Sequence, residues 1–160
     1  MKTAQQIADR YRFLFRGKDI DTETWKYGHL VMPLEKKPRI IIDGTEDRCI
    51  VYPDSVGQCT GTHDKNLTYI WEGDLVYVDQ YPEEMHVVEW DKISASYLVR
   101  SLTTGNVIFI RDLDNEFYKY PLLDGDVAYL SKCNNIEVIG KYYEYKNDPE
   151  GFKPWRKRTE

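Results

Sequence analysis

The sequence lacks most of what would announce a chemistry. It has no apolar run of about 20 residues, the length a helix needs to cross a bilayer, so no transmembrane helix is expected. Residues 1–6, Met1-Lys2-Thr3-Ala4-Gln5-Gln6, carry no apolar signal core, which predicts a cytoplasmic protein. Cysteine is scarce and odd in number, and Cys49, Cys59 and Cys133 read as reduced thiols rather than a disulfide frame. There is no C-x-x-C pair and no closely spaced His pair. Cys49, Cys59 and His63, even with Cys133 or His86, therefore predict no zinc site. The sequence has no G-x-S-x-G nucleophile turn and no glycine-rich phosphate cradle. Ser55 falls in a turn context, and His29, His63 and His86 are scattered. The expectation is a protein without enzymatic activity and without a cofactor.

A uniformly basic surface is missing too. The net charge is −5. The last eight residues carry Lys153, Arg156, Lys157, Arg158 and Glu160, a net of +3, which leaves −8 on the body. An acidic body repels polyanions and argues against broad binding to a nucleic-acid backbone. It is also compatible with an acidic decoy that mimics DNA. Alanine and leucine are sparse.

What the chain does have is aromatic residues. It holds 13 Tyr, 4 Trp and 5 Phe, and aromatics favour pleated, half-buried strand positions. The turn and strand signals agree. Arg12–Arg16 and Trp25–Met32 read as a hairpin around a polar turn at Lys18–Thr24, with Trp25, Tyr27, His29 and Val31 on one face. Arg39–Asp43 and Arg48–Tyr52 flank the turn signal Asp43-Gly44. Pro53–Leu67 reads as loop. Thr68–Trp71 and Leu75–Asp79 follow as strands, with Gly73 at a turn between them and a break expected at Tyr81-Pro82. Val87–Asp91, Tyr97–Leu102 and Val107–Arg111 are further strands, the last two joined by Thr104-Gly105-Asn106. Asp112–Tyr120 is ambiguous, with a helical turn expected within it, and Asp126–Leu130 and Ile136–Gly140 read as strands. A short helix is expected over Thr3–Tyr11, and the chain from Lys146 onward reads as frayed.

Five blocks in order carry a family likeness. They are Phe15-Arg16-Gly17-Lys18 leading to Trp25-Lys26-Tyr27-Gly28; the continuous stretch 51–79; Glu72-Gly73-Asp74 within it; Val87-Val88-Glu89-Trp90-Asp91; and Ile136-Glu137-Val138-Ile139-Gly140 with Tyr142-Tyr143-Glu144. This arrangement resembles the YopX family of phage and prophage proteins, across most of the chain. Three positions depart from the family pattern: no Gly follows Thr22, Cys59 stands where an aromatic is common, and Thr62-His63 replaces a Leu-Lys-like pair. The resemblance implies a bacterial host cell and carries no biochemical activity with it.

The expected fold is mainly β, with a β-rich α+β arrangement as the alternative. It comprises an N-terminal hairpin plus a small SH3-like or partly open barrel with short helical turns. Residues 1–146 are expected to form one domain, with sub-lobes 1–52 and 53–146, and residues 147–160 a flexible basic tail.

The candidate sites follow from pattern. Glu72-Gly73-Asp74 is echoed by Asp124-Gly125-Asp126, and the four acids Glu72, Asp74, Asp124 and Asp126 would suit a hard divalent cation if the turns met. The simpler reading is turn chemistry, because Asp bonds local backbone N–H groups. In the tail, Trp155 could stack on a base while Lys153, Arg156, Lys157 and Arg158 meet phosphates, against the simpler reading of a solvated end. The surplus of Tyr and Trp predicts self-association. The leading functional reading is an accessory or protein-interaction module with a host or phage protein as partner and no membrane contact. A nucleic-acid module using the tail, and a metal- or small-ligand-binding protein or enzyme at the Gly-Asp turns, are the alternatives.

Overall fold

A computed structural model describes residues 13–121, 125 and 127–155. The helix expected over Thr3–Tyr11 lies outside the described residues.

The chain is built from thirteen strands and one short helix among the described residues. The strands are β1 Phe15–Lys18, β2 Trp25–Val31, β3 Arg39–Ile42, β4 Arg48–Ile50, β5 Gly57–His63, β6 Tyr69–Trp71, β7 Asp74–Val78, β8 Tyr81–Asp91, β9 Ser96–Ser101, β10 Val107–Phe109, β11 Asn115–Pro121, β12 Val127–Cys133 and β13 Ile136–Lys141. The helix, α1, spans Tyr142–Asn147. The strands form two sheets and no closed barrel, so the β-rich expectation holds in an open form. The first sheet has eight strands in the order β11-β12-β5-β1-β2-β3-β4, with β6 also paired to β5. The second has five, in the order β10-β9-β8-β7-β13.

Most pairings are antiparallel hairpins. The β1–β2 register places Arg16 opposite Tyr27 and Lys18 opposite Trp25, as the period-2 reading of the hairpin requires. Gly28 closes this motif for a steric reason: a Cβ there would lie 1.8 Å from the Ile41 carbonyl oxygen on β3. The exception to antiparallel pairing is β12 on β5, which is parallel and sets Ser131 against Thr62.

Four local expectations need correction. The stretch read as loop contains β5, a strand with almost no apolar alternation. It is held by β1, β6 and β12 on its flanks, so the pairing is imposed by tertiary neighbours rather than by its own pattern. Tyr81-Pro82 opens β8 instead of ending a strand. The β7–β8 register shifts there, with Val78 facing Tyr81 and Tyr77 facing Met85, and Pro82 sits in the irregularity where a ladder donor is not needed. β10 stops at Phe109 and a 3-10 turn follows over Ile110–Asp112, ahead of strand β11. The segment beyond α1 also departs from the free tail expected from Lys146. Phe152 packs edge-on against Tyr145, and the Trp155 N–H donates to the Ile139 carbonyl at 2.7 Å. Residues 156–160 lie outside the described residues.

The main core joins the two sheets through Ile70, Val76, Val78, Val88, Val99, Ile110, Leu113, Cys133, Ile136 and Val138. A second cluster, Leu75, Val87 and Ile139, occupies the other face of the five-stranded sheet under Tyr142, Tyr145 and Phe152. Buried Asp64 pins the connection between β5 and β6. One carboxylate oxygen accepts from the Asn66 and Thr68 N–H groups, and the other from the Val138 N–H on β13, each at 2.9 Å.

Gly73 makes the passage from one sheet to the other. Its φ of +89° is a left-handed conformation that favours glycine. Its N–H donates to the Val88 carbonyl and its carbonyl accepts from the Tyr142 N–H, both at 2.8 Å. Gly125, in the sequence echo, has φ +86°, so the two glycines share a left-handed conformation.

Candidate functional site

The strand after Gly73 opens with Asp74, and its side chain turns inward. Asp74 is 1% exposed. Its Oδ2 accepts from the Trp71 N–H at 2.7 Å, the local turn bond expected of Asp in this context. Its Oδ1 lies 2.7 Å from Arg16 Nη2, which comes from β1 and is 3% exposed. The pair is close but poorly aligned for hydrogen bonding. Nη2 reaches the Glu72 carbonyl at 3.4 Å, while Asp74 Oδ1 and Arg16 Nε are buried without a hydrogen-bond partner. Burial drives the Asp74 carboxyl above the usual carboxylate range, with the Arg16 charge and the Trp71 N–H pulling the other way.

Aromatic rings surround this pair. The Arg16 guanidinium sits 5.3 Å from the Trp25 ring centroid and 5.6 Å from that of Trp71. Tyr27 meets Trp71 edge to face at 5.3 Å. A second cation, Lys141 at the end of β13, lies 5.1 Å from the Trp25 ring and 4.5 Å from the Trp155 ring. Such contacts are favourable because the ring face is the negative end of its quadrupole. Burial pushes the Lys141 ammonium down to about 8. The Arg16 charge adds to this, and Asp74 and Glu144 oppose it.

Two cavities open on this cluster. One, of about 430 Å³, is lined by Leu14, Arg16, Tyr27, Trp71, Asp74 and Trp155, among others. The other, of about 410 Å³, includes Trp25, Lys141, Glu144, Phe152, Lys153 and Trp155. Trp155 is common to both. Glu144 on α1 closes the far side by accepting from Trp25 Nε1 at 2.9 Å and Lys18 Nζ at 3.0 Å.

The candidates from sequence are thus redistributed. Asp74 is at the site, held by a cation from another strand. Glu72 is half-buried and contributes its backbone carbonyl; burial raises its carboxyl pKa. Asp124 and Asp126 lie outside the described residues. Among the described residues no group of three or more His, Cys, Asp or Glu side chains is placed to hold a metal ion. Cys59 is buried and its thiol is pushed up to about 12 by that burial. His63 is lowered by burial and bonded through Nδ1 to the Ser131 carbonyl. Trp155 and Lys153 reach the site as lining residues, while Arg156, Lys157 and Arg158 lie outside the described residues.

Sequence reasoning missed Arg16 and Lys141. A signal for Arg16 was present, since the F-R-G-K, W-x-Y-G and E-G-D blocks supply Arg16, Trp25, Tyr27 and Asp74, and these converge on one place. Lys141 directly follows the closing I-E-V-I-G block and carried no signal of its own.

No helix among the described residues is long and apolar enough to cross a membrane. No curated protein sequence matches the chain. A family model described as YopX protein matches residues 14–149, a span that takes in every block converging on the site. The chain belongs to the YopX family.

Proposed function

We propose that this is a non-enzymatic accessory protein of a phage or prophage, an interaction module working in the bacterial cytoplasm, with the aromatic cavity as its recognition site. The observation that carries this reading is the arrangement of charge and ring. Arg16 and Asp74 compensate each other, Lys141 is covered by Trp25 and Trp155, and the surface left around them is Tyr27, Trp71 and Trp155. Small-molecule sites are mostly apolar and aromatic with a few fixed polar groups. Exposed Tyr and Trp at such a rim are the residues that dominate binding energy.

The test is capture from bacterial lysate with the tagged full chain and its Tyr27→Ala variant, with bound species identified by mass and the complexes sized. A stoichiometric component held by the wild type and lost from the variant supports the reading. Capture unaffected by Tyr27→Ala overturns the cavity as recognition site.

Self-association is favoured by one observation of its own. Strand β11 forms an end of the eight-stranded sheet, and its Phe117 side chain is 79% exposed. A sheet edge with an uncovered aromatic is a template for pairing with a second copy.

A further inference from the structure

We propose that the cavity takes a planar heteroaromatic ligand of the nucleobase class, stacked among Tyr27, Trp71 and Trp155 with its polar edge on the Arg16–Asp74 pair. This rests on the cavity being a recognition site and goes further by naming what it recognises.

Three observations select that chemistry. The volume of about 430 Å³ falls in the range of small-molecule sites, roughly 300–1,000 Å³. The walls are rings: Tyr27 and Trp71 stand at 66° to each other, so they present two different ring surfaces, and Trp155 is 55% exposed at the rim. A flat ligand gains from stacking on such surfaces whatever its substituents, because every base has a π face.

The third observation is the floor. Arg16 Nε is a buried donor without an acceptor, and Asp74 Oδ1 is a buried acceptor without an aligned donor. Unmet groups of this kind weigh against the folded state, so a ligand that meets them is favoured over one that does not. A purely apolar ring leaves both unmet. An anion on this floor meets the Asp74 carboxylate, and a cation meets the Arg16 guanidinium. A neutral ring with a hydrogen-bond acceptor beside a donor answers both at once, and base edges carry that pairing. Both atoms are closed to water and belong to residues that line the cavity.

The experiment is a titration of the full chain with guanosine, adenosine, cytidine and uridine, and in parallel with indole, a ring without a paired donor–acceptor edge. The readout is the indole N–H signal of each tryptophan in NMR, with Trp90 on β8 as an internal reference for folding. The expected result is that at least one nucleoside shifts the Trp71 and Trp155 signals saturably at millimolar concentration or below, leaves Trp90 in place, and outcompetes indole. Tyr27→Ala should weaken that binding about tenfold, the scale of one stacking contact. Because Tyr27 also packs on Trp71, Trp155→Ala serves as a second variant with the same expected direction. Saturable shifts with indole and none with any nucleoside overturn the nucleobase inference while leaving the cavity a binding site. No shift at Trp71 or Trp155 with any of the five compounds overturns both.

Discussion

Trp25 Nε1 donates to Glu144 Oε1 across 119 residues of sequence, fastening the N-terminal hairpin to the C-terminal helix. Lys18 Nζ shares the same carboxylate at 3.0 Å. Burial pushes the Glu144 carboxyl up, but these two hydrogen bonds, with Lys18 and Lys141 nearby, outweigh it, and its pKa falls below the ordinary carboxylate value. A carboxyl depressed on folding stabilises the protein above its unfolded pKa and loses that contribution as pH falls through the folded one. Glu144→Gln should therefore lower stability at neutral pH and matter progressively less toward pH values below the carboxylate range. The side chain is partly exposed, so the neutral-pH loss should be modest, about 1 kcal/mol or less. Urea unfolding of wild type and variant across that pH span measures it.

Asp74 and Arg16 form the costliest pair to break. Removing one partner leaves the other as an uncompensated buried charge, and Asp74→Ala should destabilise by about 3–5 kcal/mol. The double replacement Arg16→Met with Asp74→Leu should recover much of that loss, because two apolar side chains leave no buried charge. A double-mutant cycle in urea checks both statements, and a double variant as unstable as Asp74→Ala would contradict them.

Lys141 gives stability a pH dependence of the same sign as Glu144 does, in a higher pH window. Its folded pKa of about 8 lies below the unfolded value, so between those values the unfolded chain binds the extra proton. Stability gained from this residue therefore rises with pH above about 8. Lys141→Met should be relatively more stable at pH 7 than at pH 9.5, measured against wild type at each pH by urea unfolding. A wild-type-to-variant difference that does not change between the two would refute the burial account of this lysine.

Phe152 is the anchor of the docked C-terminal segment, lying against Tyr145 and the cluster of Leu75, Val87 and Ile139. Phe152→Ala should cost roughly 2 kcal/mol, below the 3–5 kcal/mol of a fully buried Phe because the side chain is half-buried. It should also release residues 148–155 to protease, since the Trp155 N–H to Ile139 carbonyl bond is then left with little support. Limited proteolysis followed by mass measurement reads this directly.

Self-association is tested by light scattering at micromolar concentration. The expected outcome is a defined oligomer that Phe117→Lys converts toward monomer, because a charge placed at an open sheet edge opposes pairing. A wild-type chain that scatters as a monomer across that range contradicts the reading.

The hairpins were legible in the sequence because their information is local. Trp25, Tyr27 and Val31 alternate on β2, and Asp43-Gly44 and Thr104-Gly105-Asn106 mark turns that the structure forms. Gly73 was legible for the same reason. β5 was not, because Gly57–His63 offers no apolar alternation and takes its conformation from three neighbouring strands. The site was half legible. Asp74 stood out as an acid in a turn, but its partner Arg16 comes from another strand, and no periodicity links two residues that meet only through sheet packing. By composition alone Trp155 is a stacking residue in a free tail. Its place at the rim depends on Phe152 and Ile139, contacts that tail composition does not encode.

The order in which the site's parts leave the ribosome has a consequence for synthesis. The β1–β2 hairpin emerges with Arg16 on its first strand, well before Asp74 can neutralise it and before β13 and α1 bring Lys141 and Glu144. A nascent chain halted after β4 lacks both the Asp74 carboxylate and the β5 strand that pairs with the edge of β1. The cavity is therefore complete only once the C-terminal half has been made, because Trp71, Asp74 and Trp155 all follow β4 in the chain.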